Sequence, residues 1–161
     1  MLFAKLLFRQ VTLNSKEPTI IAIEHLLFFH TIGEPQASDK LIFGASDEEK
    51  SRYVSASVTQ DDRFVVISAS NTTSGNKLWA RDLLDPEAER VPLFPTEEAD
   101  ASLLDNNGNV LLIKTNLDAP RGRIVAINLD YPTPENWTDM IPEGEHVINV
   151  RSGGGYLFAE S

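Results

Sequence analysis

With 161 residues, 42% hydrophobic and 24% charged, the chain has the composition of one globular domain and lacks that of a disordered protein. Its net charge of −10 repels phosphate backbones and no Lys/Arg cluster offsets it, so nucleic acid is excluded as an expected partner. The absence of cysteine removes disulfides, thiolate metal sites and a cysteine nucleophile together.

Residues Met1 to Glu24 open with MLFAKLLFRQ, where Lys5 and Arg9 interrupt the apolar run and no small-residue cleavage site closes it. No stretch approaches the ~18 uncharged apolar residues of a membrane helix. A cytoplasmic protein without membrane contact is the expectation. Leu2, Phe3, Leu6 and Leu7 have helical spacing, Pro18 stops any helix from continuing, and Thr19 to Ile23 is β-prone. This segment, 1–24, fits no part of the later pattern and carries no assignment.

From His25 the pattern is regular. Leu26 to His30 and Leu41 to Phe43 read as strands around a turn-rich connection with Gly33, Pro35 and Ser38. Tyr53 to Val58 alternates, Gln60 to Arg63 turns, and Phe64 to Ile67 is continuously apolar, as a strand covered on both faces is. Leu78 to Leu83 and Val91 to Phe94 complete that unit. Ala101 to Leu104, a hairpin at Asp105 to Asn109, Val110 to Lys114, Arg123 to Leu129 and Trp137 to Ile141 repeat the plan. Val147 to Val150 and Tyr156 to Ala159 begin it again.

The units superpose by sequence. Val65-Val66-Ile67 returns as Val110-Leu111-Leu112, an offset of 45, and Lys77-Leu78-Trp79-Ala80 as Arg123-Ile124-Val125-Ala126, an offset of 46. The fourth strand follows at 47, and Leu26 and Leu41 align with Lys77 and Pro92 at 51. An all-strand period of about 45 residues is that of four-stranded propeller blades. The expected fold is all-β: a partial β-propeller over 25–161 with units at about 25–47, 53–95, 101–142 and 147–161. In this count the chain opens on the outer half of a blade, contains two whole blades and closes on a half. Its terminal blades would expose apolar faces and unpaired edges unless something covers them.

Chemistry-bearing residues are few. His25 and His30 lie five apart, with opposite side-chain directions on a strand, so they do not converge on a metal. Asp105-Asn106-Asn107-Gly108-Asn109 lacks the Gly and Glu positions of a calcium loop, and Asn-Gly between strands signals a hairpin instead. Ser152 to Gly155 precedes a strand, not a helix, and is read as a hairpin and not a phosphate cradle. The acidic runs Asp47-Glu48-Glu49 and Glu97-Glu98 are expected to be solvated loop surface. Trp79 and Trp137 are expected to pack in the core or between blades. The sequons at Asn71 and Asn136 are read as chance occurrences.

The stretch HLLFFHTIGEPQASDKLIF, His25 to Phe43, resembles prolyl oligopeptidases, in which a strand ending in histidine leads through a Leu-Gly-Thr-Pro-Gln-like connection to a second apolar strand. The likeness continues through Ser57 to Ser68, Asn76-Lys77-Leu78-Trp79, Lys114 to Pro120, Arg123 to Leu129 and Pro134 to Trp137. It covers most of 25–160, and Ile32-Gly33-Glu34 departs from the usual Leu-Gly-Thr. The resemblance implies a two-domain serine peptidase whose seven-bladed propeller caps an α/β-hydrolase domain and admits short proline-containing peptides. It gives His30 a structural or rim role. The hydrolase half needs a Ser on a G-x-S-x-G elbow. Its nearest approach here is Gly44-Ala45-Ser46-Asp47-Glu48, with Glu48 in place of the second Gly.

The sequence therefore implies a substrate-gating propeller segment with no catalytic residue, no metal ligand and no cofactor, inactive alone. Its binding residues are not legible. Its partners would be the hydrolase domain, the remaining blades and, through the whole enzyme, a peptide substrate. The alternative is a stand-alone interaction module that recruits a protein through exposed blade faces.

Overall fold

A computed structural model describes residues 4–12, 23–85, 87–153 and 156–160. They form four antiparallel sheets. The first contains β1 (Ala4–Thr12), β2 (Ile23–Thr31) and β3 (Lys40–Phe43). The second contains β4 (Tyr53–Val58), β5 (Phe64–Ser70), β6 (Lys77–Asp82) and β7 (Val91–Phe94). The third contains β8 (Ala101–Asn107), β9 (Val110–Thr115), β10 (Arg123–Asn128) and β11 (Thr138–Ile141). The last pairs β12 (Asn149–Gly153) with β13 (Tyr156–Glu160). In each full sheet the strands lie in chain order, so every connection is a hairpin or a short return. This is a partial β-propeller.

Three details correct the sequence reading. Residues 4–12, expected to lie outside the repeat, form β1 and pair with β2 from Ala4↔Thr31 to Thr12↔Ile23. The first unit thus has three strands and not two. The helical spacing of four apolar residues was too short to fix a period, and pairing with β2 decided the conformation. Leu2, Phe3 and residues 19–22 lie outside the described residues. Secondly, β8 runs on to Asn107, so the turn contracts to Gly108 and Asn109, with positive φ at Gly108 only (58°).

The third correction concerns register. Ile67 faces Trp79 across β5–β6, and Ile113 faces Val125 across β9–β10. Both strands are therefore offset by 46, and the second-strand value of 45 was one residue short. That single step matters because it exchanges the two faces of a strand. The fourth-strand offset of 47 and the first-unit offset of 51 agree with the pairings Leu27↔Phe43, Leu78↔Phe94 and Ile124↔Ile141. Each of these three pairs is followed by a bulge, which leaves Ile42, Leu93 and Met140 unpaired at equivalent positions.

The core lies between the sheets. Along β5, Val65, Ile67 and Ala69 pack with Leu27 and Phe43 of the first sheet. The alternate residues Phe64 and Val66 join Leu78, Leu93 and Phe94 against Leu111, Ile113, Val125 and Ile127 of the third. An unbroken apolar run is what a strand covered on both faces requires, and β5 is buried from Phe64 to Ile67. Gly75 (φ +75°) lets the β5–β6 loop touch the next blade, since a Cβ there would stand 1.8 Å from the Glu97 carbonyl oxygen. No helix among the described residues is long and apolar enough to cross a membrane.

Candidate functional site

Catalysis by a hydrolase of this kind needs a serine beside a histidine that a carboxylate orients. His30, on β2, has the carboxylate: its Nδ1 donates to Asp39 Oδ1 at 2.6 Å, and the Asp39 side chain is buried. Among the described residues no serine completes the group. Ser38 Oγ instead donates to the Pro35 carbonyl at 2.7 Å. The pair ties the end of β2 to the connection into β3, a structural role. His25 lies one strand face away with its buried Nδ1 unpartnered, and His146 is exposed on a distant loop. Among the described residues no three His, Asp or Glu side chains gather as a metal would require.

The organised polar chemistry lies at the seams between blades. At the first seam, Glu49 is not solvated loop surface as its acidic run suggested. It is buried, and Oε2 accepts from the backbone N–H groups of Gly44 (2.9 Å) and Ala45 (3.0 Å). Its Oε1 accepts from Arg90, which enters β7 of the next blade and donates its second arm to the Ile42 carbonyl at 2.5 Å. The same guanidinium stands 5.5 Å from the Phe43 ring centroid, and Trp79 packs on that ring at 5.0 Å. One Arg thus fastens two blades through charge, backbone and ring.

The second seam reuses the positions with different residues. Phe94 is equivalent to Phe43, and Trp137, 47 residues after Arg90, packs on it at 4.9 Å. Trp137 Nε1 donates to the Pro132 carbonyl (2.8 Å), which satisfies its one donor. Both tryptophans therefore pack between blades. At the loop end, Glu97 accepts from the N–H and side-chain amide of Asn71 at 2.9 and 3.0 Å, so it too is engaged.

At the hairpin end, Asn106 donates to Asp61 Oδ2 (2.8 Å) and Thr59 Oγ1 donates to Asp61 Oδ1 (2.6 Å). The Thr59 hydroxyl, then the Asn106 amide, hold the Asp61 carboxyl below its ordinary value. A carboxylate with a depressed folded pKa contributes stability that is complete above its unfolded value and lost as pH falls through the folded one. The Asp61–Asn106 bridge should therefore survive to below roughly pH 4, the ordinary Asp range. Side-chain NMR titration is expected to show the Asp61 midpoint moving up in Asn106→Ala, and further up in Thr59→Val. Unmoved midpoints in both variants would refute the assignment.

The third seam is looser. Arg121 donates its backbone N–H to Glu143 (2.7 Å) and its side chain to the Gly144 carbonyl (3.0 Å), and Ile148 N–H donates to the Arg121 carbonyl (3.0 Å). A cavity of about 340 Å³ opens there. Beyond it, Met140, Tyr156 and Phe158 are exposed. The hairpin read at Ser152 to Gly155 includes residues 154 and 155, which lie outside the described residues, and β12 and β13 pair antiparallel on either side.

Comparison with known proteins agrees with this architecture. A sequence model described as "Prolyl oligopeptidase, N-terminal beta-propeller domain" matches residues 7–161. The prolyl endopeptidase of Elizabethkingia miricola is 39% identical over 136 residues, 84% of this chain and 19% of that protein. That of Elizabethkingia meningoseptica is 36% identical over 136 residues, with the same coverage of each chain, 84% and 19%. A structure solved in a study of two prolyl endopeptidases superposes with a TM-score of 0.78 at 27% identity, covering 96% of this chain and 22% of the other. The chain spans about a fifth of the length of the curated relatives it matches. Blades, seams and a match over nearly the whole chain lead to one conclusion: the chain belongs to the prolyl oligopeptidase family, within its N-terminal β-propeller domain.

Proposed function

We propose that the chain forms part of a propeller that gates peptide access to a serine peptidase cleaving short proline-containing peptides, and that alone it hydrolyses nothing. The family match over residues 7–161 carries the reading. Inertness is supported by the His30–Asp39 pair, which meets no serine among the described residues, and by Ser46, whose Gly-Ala-Ser-Asp-Glu context lacks the elbow's second glycine. The purified chain is expected to leave a Gly-Pro chromogenic peptide uncleaved. Turnover that a serine-reactive inhibitor abolishes would overturn this.

One observation favours a second reading, an interaction module without a peptidase. Tyr156 and Phe158 project from one face of β13 at 71% and 63% exposure, a patch a partner could cover. Size-exclusion chromatography with thermal melting separates the two. A cooperatively melting monomer or closed oligomer supports the module, and aggregation supports the peptidase propeller.

A further inference from the structure

Ser68 on β5 and Lys114 on β9 are equivalent, each paired with the matching third-strand residue, Leu78 and Ile124. Two residues before those partners stand Asn76 and Gly122. In the second blade the set closes on itself. Asn76 Nδ2 donates to Ser68 Oγ (2.9 Å) and to the Ala101 carbonyl (3.0 Å), while its Oδ1 accepts from Ala101 N–H (2.8 Å). In the third blade one member is cut back and the other lengthened. Gly122 (φ +87°) has no side chain, and a Cβ built there would meet Ile148 Cγ2 at 3.0 Å and Lys114 Cε at 3.7 Å. The lysine stem thus runs beside the bare glycine, on the wall of the 340 Å³ cavity at the third seam and of a second opening that it shares with Arg151 and Glu160.

Lys114 is half-buried, and among the described residues its ammonium makes no hydrogen bond or ion pair. On a cavity wall, in a chain of net charge −10, an ammonium that no carboxylate among the described residues claims is available to an anion from outside. Arg121, on the same wall, spends one arm on the Gly144 carbonyl and keeps its other donors. The carboxylates beside that wall are spent on other donors, Asp100 on Gly75 N–H (2.7 Å) and the Asn116 amide (3.3 Å), and Glu143 on the Arg121 N–H (2.7 Å). Two cations beside two carboxylates leave no excess charge, so the free donors of Lys114 and Arg121 suit a monoanion better than a phosphate dianion.

We propose that the seam between the third and fourth sheets binds a carboxylate of a peptide, C-terminal or on an acidic side chain, with Lys114 as its charge partner and Arg121 as the second donor. The proposal stands apart from the peptidase reading, since it concerns binding by this chain alone. The full ¹⁵N-labelled chain is titrated with N-acetyl-trialanine as the free acid and as the amide, with acetyl-Gly-Asp-Gly-amide, and with inorganic phosphate. Saturable shifts at the backbone amides of residues 114–119, 121, 122 and 148 are expected with either carboxylate peptide and not with the trialanine amide. Lys114→Met keeps the stem and should weaken binding by roughly tenfold or more, whereas Lys114→Arg should largely retain it. The tighter of the two carboxylate peptides identifies the source. Equal shifts by acid and amide, undiminished binding in Lys114→Met, or phosphate acting at lower concentration than either peptide would each overturn the proposal. The acid–amide comparison on the unaltered chain decides the matter should the variant fail to fold.

Discussion

Leu93→Ala should destabilise the chain by about 2–5 kcal/mol, while Met140→Ala should change it by less than about 0.5 kcal/mol. The two residues occupy the same place in consecutive blades. Each is the extra residue of the bulge that follows the Leu78↔Phe94 or Ile124↔Ile141 pair. Strand propensity and bulge geometry are therefore shared, and only the neighbour differs. Leu93 is 2% exposed, packed with Phe94 into the core between the second and third sheets, whereas Met140 is 56% exposed. Truncating Leu93 removes buried methyl groups and leaves a cavity that packed strands collapse only in part. Truncating Met140 removes atoms that already touch water. Urea unfolding of both variants checks this, and for a chain of this size the Leu93 loss corresponds to roughly 4–20 °C in thermal midpoint. Similar losses in both variants would show that the bulge, and not the packing between blades, sets the cost.

The second large effect is expected at the first seam. Glu49→Ala should cost about 3 kcal/mol, the low end of the range for breaking a buried pair, because Arg90 is one-third exposed. The substitution leaves the Gly44 and Ala45 N–H groups without their acceptor, and the guanidinium with only the Ile42 carbonyl. Glu49→Gln keeps an acceptor for the N–H groups and should lose less. Arg90→Lys should recover little in comparison with Arg90→Ala, since one ammonium cannot fork between Glu49 and Ile42 while lying against Phe43. Denaturant unfolding at low and high salt is the measurement. A Glu49→Ala loss under about 1 kcal/mol, or one that vanishes in high salt, would reduce the pair to an ordinary surface contact.

These seams mark the limit of what local sequence shows. Phe64 to Ile67 announced a strand covered on both faces, and it is one. Glu49 announced nothing. In the run Asp47-Glu48-Glu49 only the last residue is buried, and its partner lies 41 positions away in the next blade. The Asn76–Ala101 clasp and the Asp61–Asn106 bridge span 25 and 45 positions in the same way. A signal was present for the ring contacts at the first two seams. Arg90, Trp137, Phe43 and Phe94 occupy matched places in the repeat, so aligning the units by strand face would have suggested that each pair meets.

The order of residues alone was enough for the all-β class, the strand order within the two whole blades and the family. Period-two burial and turn chemistry are local, and the repeat prints them at fixed intervals. Packing in three dimensions settled three further things. It drew residues 4–12 into the first sheet, because a short ambiguous segment takes the conformation of the strand it pairs with. It set the second-strand offset at 46, because register depends on which face the neighbouring blade covers. It also left the Lys114 ammonium without a partner among the described residues, beside Gly122 at the third seam, while fastening the first two, because seams form between residues that only the blade packing brings together.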